Sequence, residues 1–200
     1  MQRPQRPGID YLPDNFEAPP PTPWPLWRQL TLFAVLFMAM QGAWSLAQGP
    51  MVEHITVGDW TVVPAAFWIH LITPGVGAVA QGYSITAPGG GINVMNGCEG
   101  FEVIFLWIAA LAITPMGWRW RGLGLILGIG LVWILNQVRI LVLFYAYRSD
   151  KEWFAQLHGT IAPLVLIVLV AAAFALFVAW SSDPVPVARA GAVEAPGVHR

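Results

Sequence analysis

Three side chains in this sequence have the types and spacing for nucleophilic chemistry: Cys98, Arg139 and His158. Cys98 is the only cysteine among 200 residues, so an intramolecular disulfide is excluded and a cysteine-based metal cage is not expected. A lone cysteine in an apolar chain is most simply an inert small core residue. Its surroundings point further. It stands in NGCEGFE at the start of an apolar run, where the free N–H groups of a helix start favour the reactive thiolate. His158, in QLHG, is a candidate to take the thiol proton. Arg139, in NQVRI, is a candidate to hold a developing oxyanion or a substrate backbone. Gly97 and Gly100 flank the cysteine and would let a peptide approach closely.

Other polar residues compete or assist. Glu102 lies four residues after Cys98 on the same helix face, and a carboxylate there is expected to face the bundle interior, pairing with Arg139 or orienting His158. Asn136, one turn before Arg139, is expected to donate a supporting hydrogen bond. Glu99 adjoins the thiol and would raise its pKa, which opposes activation. His54, His70 and His199 are the alternatives to His158. Taken alone, His158 reads as an interfacial histidine, and Arg139 as an arginine snorkelling to the membrane surface.

These residues need elements that bring them to one depth. The chain is 56% hydrophobic and 10% charged, against roughly 25% charged in soluble domains. That composition requires a membrane, and a net charge of −1 argues against nucleic-acid partners. Apolar runs predict spans at about 27–47, 62–80, 98–116, 122–145 and 160–180, each near the ~20 residues that cross a bilayer. The run over 62–80 contains Pro74, Gly75 and Gly77, so it reads as a broken or re-entrant helix. Residues 81–97 are glycine-rich with slight strand-like alternation and belong on an aqueous face or cavity. Residues 1–26 and 181–200 read as disordered arms, and no secretory signal pattern opens the chain. The fold class is all-α, a transmembrane bundle of about five or six helices.

Arg3, Arg6, Arg28, Arg119, Arg121, Arg189 and Arg200 place the arms and the third-to-fourth connection in the cytoplasm. Cys98 and the connection before His158 then face outward. Two features oppose this assignment. A fully crossing second span would return the chain to the cytoplasm before Cys98, and Arg148 and Lys151 fall on the outer side. Arg139 lies nine residues before Arg148, about 13 Å along a helix. It is therefore inside the bilayer, at a cost of at least ~2.5 kcal/mol, and is a site candidate by default.

The order cysteine at a helix start, arginine on the next helix and histidine before the last resembles the exosortase/archaeosortase family, most closely compact exosortase H. NGCEGFE, RWRGLGLILG, LNQVRILVLFYAY and EWFAQLHG carry the likeness, over about residues 92–180. The resemblance implies a cysteine transpeptidase acting on exported proteins that carry a C-terminal sorting signal: a motif, a transmembrane helix and a basic cluster. It implies cleavage through an acyl-enzyme on Cys98, with His158 as acid/base and Arg139 as oxyanion or substrate stabiliser. Transfer to an acceptor would follow, at the outer side of a cell inner membrane, without cofactor or metal. Two other readings stand beside it. One is a non-enzymatic transporter or assembly subunit with a structural Arg139–Glu102 pair. The other is a metal-dependent hydrolase using His54, His70 or His158 with Glu102, although no H-E-x-x-H pair occurs.

Overall fold

The computed structural model describes residues 24–181. The arms expected at 1–26 and 181–200, with His199, fall almost wholly outside them. Among the described residues, helix α1 spans Leu26–Ala47 and α2 spans Pro50–Ile72. Strands β1 (Val79–Gln81), β2 (Ser84–Thr86) and β3 (Ile92–Asn93) follow. Then come α3 (Phe101–Ile113), α4 (Trp118–Ser149) and α5 (Lys151–Ser181). The all-α membrane bundle expected from the sequence is therefore what forms. Four helices are long and apolar enough to cross a membrane. The fifth, α3, has 13 residues and covers about 20 Å, less than the ~30 Å of a hydrocarbon core.

Local chemistry sets the boundaries. Thr114 precedes Pro115 and is extended (ψ 128°), which ends α3. Arg121 then donates to the Thr114 and Met116 carbonyls just past that end. Asp150 is extended, and its carboxylate accepts from the Glu152 and Trp153 N–H groups, so it separates α4 from α5 as an N-cap.

Two helices contain π-helical stretches, His54–Val62 in α2 and Leu157–Ile161 in α5. In α2 the cause is visible. Pro64 has no N–H to give the Trp60 carbonyl, and its ring crowds that oxygen. Helix α4 supplies the missing donors, Trp133 Nε1 at 3.0 Å and Gln137 Nε2 at 3.3 Å.

The second span is corrected by the structure. The helix occupies Pro50–Ile72, not 62–80, and the chain leaves it at Thr73 into a 3₁₀ turn over Pro74–Val76. Residues 79–93 form an antiparallel sheet in the order β1-β2-β3, with Ile85 paired to both Ala80 and Ile92. Gly82, at φ 59°, opens the two-residue β1–β2 loop. The glycine-rich segment is thus a small cap on the bundle.

The conflict over crossing number also resolves. Trp44 stacks on Phe101 at the start of α3, and Phe33 shares a cleft with Leu106 and Ala110 further along it. So α1 runs antiparallel to α3. Trp60 binds Trp133 and Gln137, and Thr73 binds Tyr145 at 2.7 Å. So α2 advances with α4. Helices α1, α2 and α4 run one way and α3 and α5 the other, and α2 is not a return crossing. Arg148 is engaged by the cap. Its Nη1 donates to the Pro88 and Gly90 carbonyls, both at 2.9 Å. This cation is a structural latch, which accounts for its place against the charge rule.

Two cores result. One joins α2, the sheet and the last third of α4 around Val57, Ile69, Ile85, Ile140 and Phe144, and it includes Cys98. The other joins α3, α4 and α5 around Ile104, Trp107, Val132, Leu166 and Phe177.

Candidate active site

Cys98 and Glu99 lie in the turn between the sheet and α3, outside the helices. Gly97 (φ 91°) and Gly100 (φ 85°) bracket them in left-handed conformations that L side chains resist. A side chain on Gly97 would meet open space, whereas one on Gly100 would press on Asn136. Close approach by a ligand backbone is therefore open at Gly97. Gly100 instead starts α3 and fits under Asn136.

Helix α4 supplies the facing wall. Asn136, 1% exposed, donates from Nδ2 to the Cys98 carbonyl at 2.9 Å. One turn on, the Arg139 guanidinium lies against the Cys98 thiol. Cys98 as a whole is 8% exposed. Burial pushes its pKa up, Arg139 pulls it down by charge and hydrogen bonding, and Glu99 pushes it up again. The net shift is upward, so the resting group is a thiol that the cation partly readies for ionisation.

The other expected residues are placed as follows. His158 sits on the π-helical turn of α5, half-buried, its ring stacked on Phe154 at 5.5 Å. Its neighbours Leu157 and Ile161 line a cleft of about 170 Å³ between α4 and α5 that Arg139 also lines. Among the described residues no hydrogen bond joins His158 to Cys98 or Arg139. Glu102 corrects the expectation. It is exposed, not interior, and no ion pair joins it to Arg139 among the described residues. The first turn of α3 presents it outward and leaves the interior to Val103 and Ile104. The carboxylate that is buried is Glu99, 3% exposed. His54 pairs with Asp59 at 3.4 Å, and His70 is exposed at the end of α2.

The band around Cys98 is also where polar atoms go unpaired. Among the described residues, Trp60 Nε1, Glu99 Oε2, Asn136 Oδ1, Gln137 Oε1 and Arg139 Nε are buried without a hydrogen-bond partner. Native interiors leave few such atoms, and each calls for an explanation. Sequence reasoning missed Gln137 and Trp60. Adjacent amides at 136–137 in an apolar helix, and a proline four residues after Trp60, were the signals available.

The family model for transmembrane exosortase (Exosortase_EpsH) matches residues 20–178. The chain belongs to the transmembrane exosortase family. The match takes in the whole Cys98 band and all the helices but for the last three residues of α5. Membership makes it an integral membrane protein of the peptidase or transpeptidase type, in a family that processes exported proteins with C-terminal signals. No curated protein and no solved structure matches the chain.

Proposed function

We propose that this exosortase is a cysteine transpeptidase that cleaves the C-terminal sorting signal of exported proteins through an acyl-enzyme on Cys98. The observation that carries the reading is the Arg139 guanidinium set against the Cys98 sulfur, with Asn136 fixing the backbone of the same residue. A cation beside a thiol favours thiolate. The same cation can stabilise the oxyanion that develops when sulfur attacks a carbonyl. The sulfur attacks the scissile peptide, the amide nitrogen leaves with a proton, and an acceptor nucleophile then takes the acyl group. By the family resemblance His158 is the acid/base, which requires its ring to swing off Phe154.

The exposed, unpaired Glu102 weighs against the non-enzymatic reading, which needed it bound to Arg139. The charge rule puts the Trp180 end of the bundle in the cytoplasm and the sheet and Cys98 on the outer side of the inner membrane.

The test is processing of a co-expressed, C-terminally tagged substrate by wild type and Cys98→Ala at matched membrane levels. The variant is expected to lose the shortened product by at least about a thousandfold. Unchanged processing would sink the cysteine mechanism.

A further inference from the structure

Strand β3 is a sheet edge that runs into the Cys98 turn. The order β1-β2-β3 leaves one side of it without a strand. The Val94 N–H donates at 2.8 Å to the carbonyl of Tyr83, the residue before β2. In an antiparallel pair, successive residues turn their backbone groups to opposite sides. Asn93 therefore points its N–H and C=O away from β2, and among the described residues neither has a partner. Its side chain is held on the sheet, where Oδ1 accepts from Ser84 Oγ at 3.1 Å.

This edge is seated but not shielded. Ile92 and Val94 are buried in the core with Ile140 and Phe144, whereas Asn93, Met95, Asn96 and Gly97 are exposed. Proteins blunt an unpaired edge with charge or proline, because its free groups are a template for another strand. INVMNG carries neither. The strand also leads somewhere. The Gly90 carbonyl is bound by Arg148 and the Cys98 carbonyl by Asn136, so β3 descends along α4 to the thiol. A turn closed by the Cys98 N–H on the Met95 carbonyl at 3.1 Å ends the edge at that residue. The other edge strand, β1, contacts α2 and feeds the hairpin instead of the site.

Resting on the cysteine reading above, we propose that the β3 edge docks the substrate: the extended segment ahead of its membrane helix adds as a fourth strand, bonded to the Asn93 backbone. On that reading the exported part of the substrate is outside and its membrane helix follows the segment. The segment then runs toward the lipid as β3 does, and the pairing is parallel. Asn93 donates to one substrate carbonyl and accepts from an N–H two residues further on. Backbone bonds hold the segment, and alternate side chains are left to give specificity. The open space at Gly97 admits the following residues to the Cys98 sulfur.

The experiment uses the full chain in membranes with the co-expressed, tagged substrate. Asn93→Pro removes the outward N–H, a change that an edge strand tolerates where that group faces solvent. Asn93→Ala keeps it. At matched membrane levels processing is expected to fall about tenfold in the first and about twofold in the second. Equal losses, or none, overturn the proposal. Cross-linking needs no activity. Asn93→Cys is combined with Cys98→Ala, which leaves the enzyme one thiol, and single cysteines are walked along the substrate segment ahead of its membrane helix. Oxidation is expected to link alternate substrate positions, because strands bring every second side chain to the same face. Adjacent positions that link alike, or no link at all, overturn the proposal, and this readout decides alone where Asn93→Pro does not accumulate. Cys98→Ala by itself separates the two claims. If it still processes substrate the cysteine reading falls, whereas an inactive Cys98→Ala without alternating cross-links sinks only the docking edge.

Discussion

The core shared by α3, α4 and α5 is built of aliphatic and aromatic side chains, and its Trp107 Nε1 is satisfied by the Gly124 carbonyl at 2.8 Å. The core under the sheet holds Cys98, and the band beside it contains the five buried polar atoms without partners. Both lie in one bundle of apolar helices, yet one is completed and the other left open. An unsatisfied buried polar atom costs about 1–3 kcal/mol. A band of them persists where the atoms have other work, such as meeting a substrate backbone. The contrast therefore separates a core whose buried polar atoms are satisfied from a band where they are not.

That contrast can be broken from either side. The largest effect is expected at Gly128, where any side chain would run into the Trp107 ring. Gly128→Val should destabilise the bundle by about 3 kcal/mol or more, seen as a lower melting temperature in detergent, with processing lost only in step with folded protein. Next comes Asn136→Ala, which removes the bond to the Cys98 carbonyl together with an unsatisfied oxygen. Processing should fall about tenfold while the melting temperature stays near wild type. A melting temperature that falls as far as for Gly128→Val would make Asn136 a packing residue and erase the contrast. The smallest effect is expected for Trp107→Phe, which gives up one hydrogen bond worth about 1 kcal/mol. Melting temperature should drop slightly and processing should not change. A loss of processing there would mean that the closed core also shapes the site.

Much of this organisation was legible in the residues. Long apolar runs read as helices because lipid leaves the backbone no other way to satisfy itself, and Cys98, Asn136 and Arg139 do meet. What the sequence did not reveal has physical reasons. Hydropathy reports that a segment is apolar but not which way it runs, so whether the second span crossed fully stayed open in the sequence, and the bonds of α2 to Trp133 and Tyr145 give its direction. The glycines of 75–82 masked the end of α2, because the same residue that breaks a helix also makes a hairpin. Glu102 was expected inward because helical spacing was counted from Cys98, whereas α3 begins only at Phe101. Three residues of turn rotate the face on which each carboxylate falls. His158 was placed by order along the chain, and its π-helical turn sets its ring on Phe154.

The shared direction of α1, α2 and α4 has a consequence for how the enzyme can be approached. The chain enters the bundle near Trp24 and leaves it near Trp180, both at the end away from the sheet. The Cys98 turn lies at the opposite end, beside the sheet. On the cysteine reading proposed above, a substrate reaches the thiol from the sheet end of the bundle or sideways out of the lipid. A substrate tethered by a membrane helix of its own can do so without ever being fully dissolved in water.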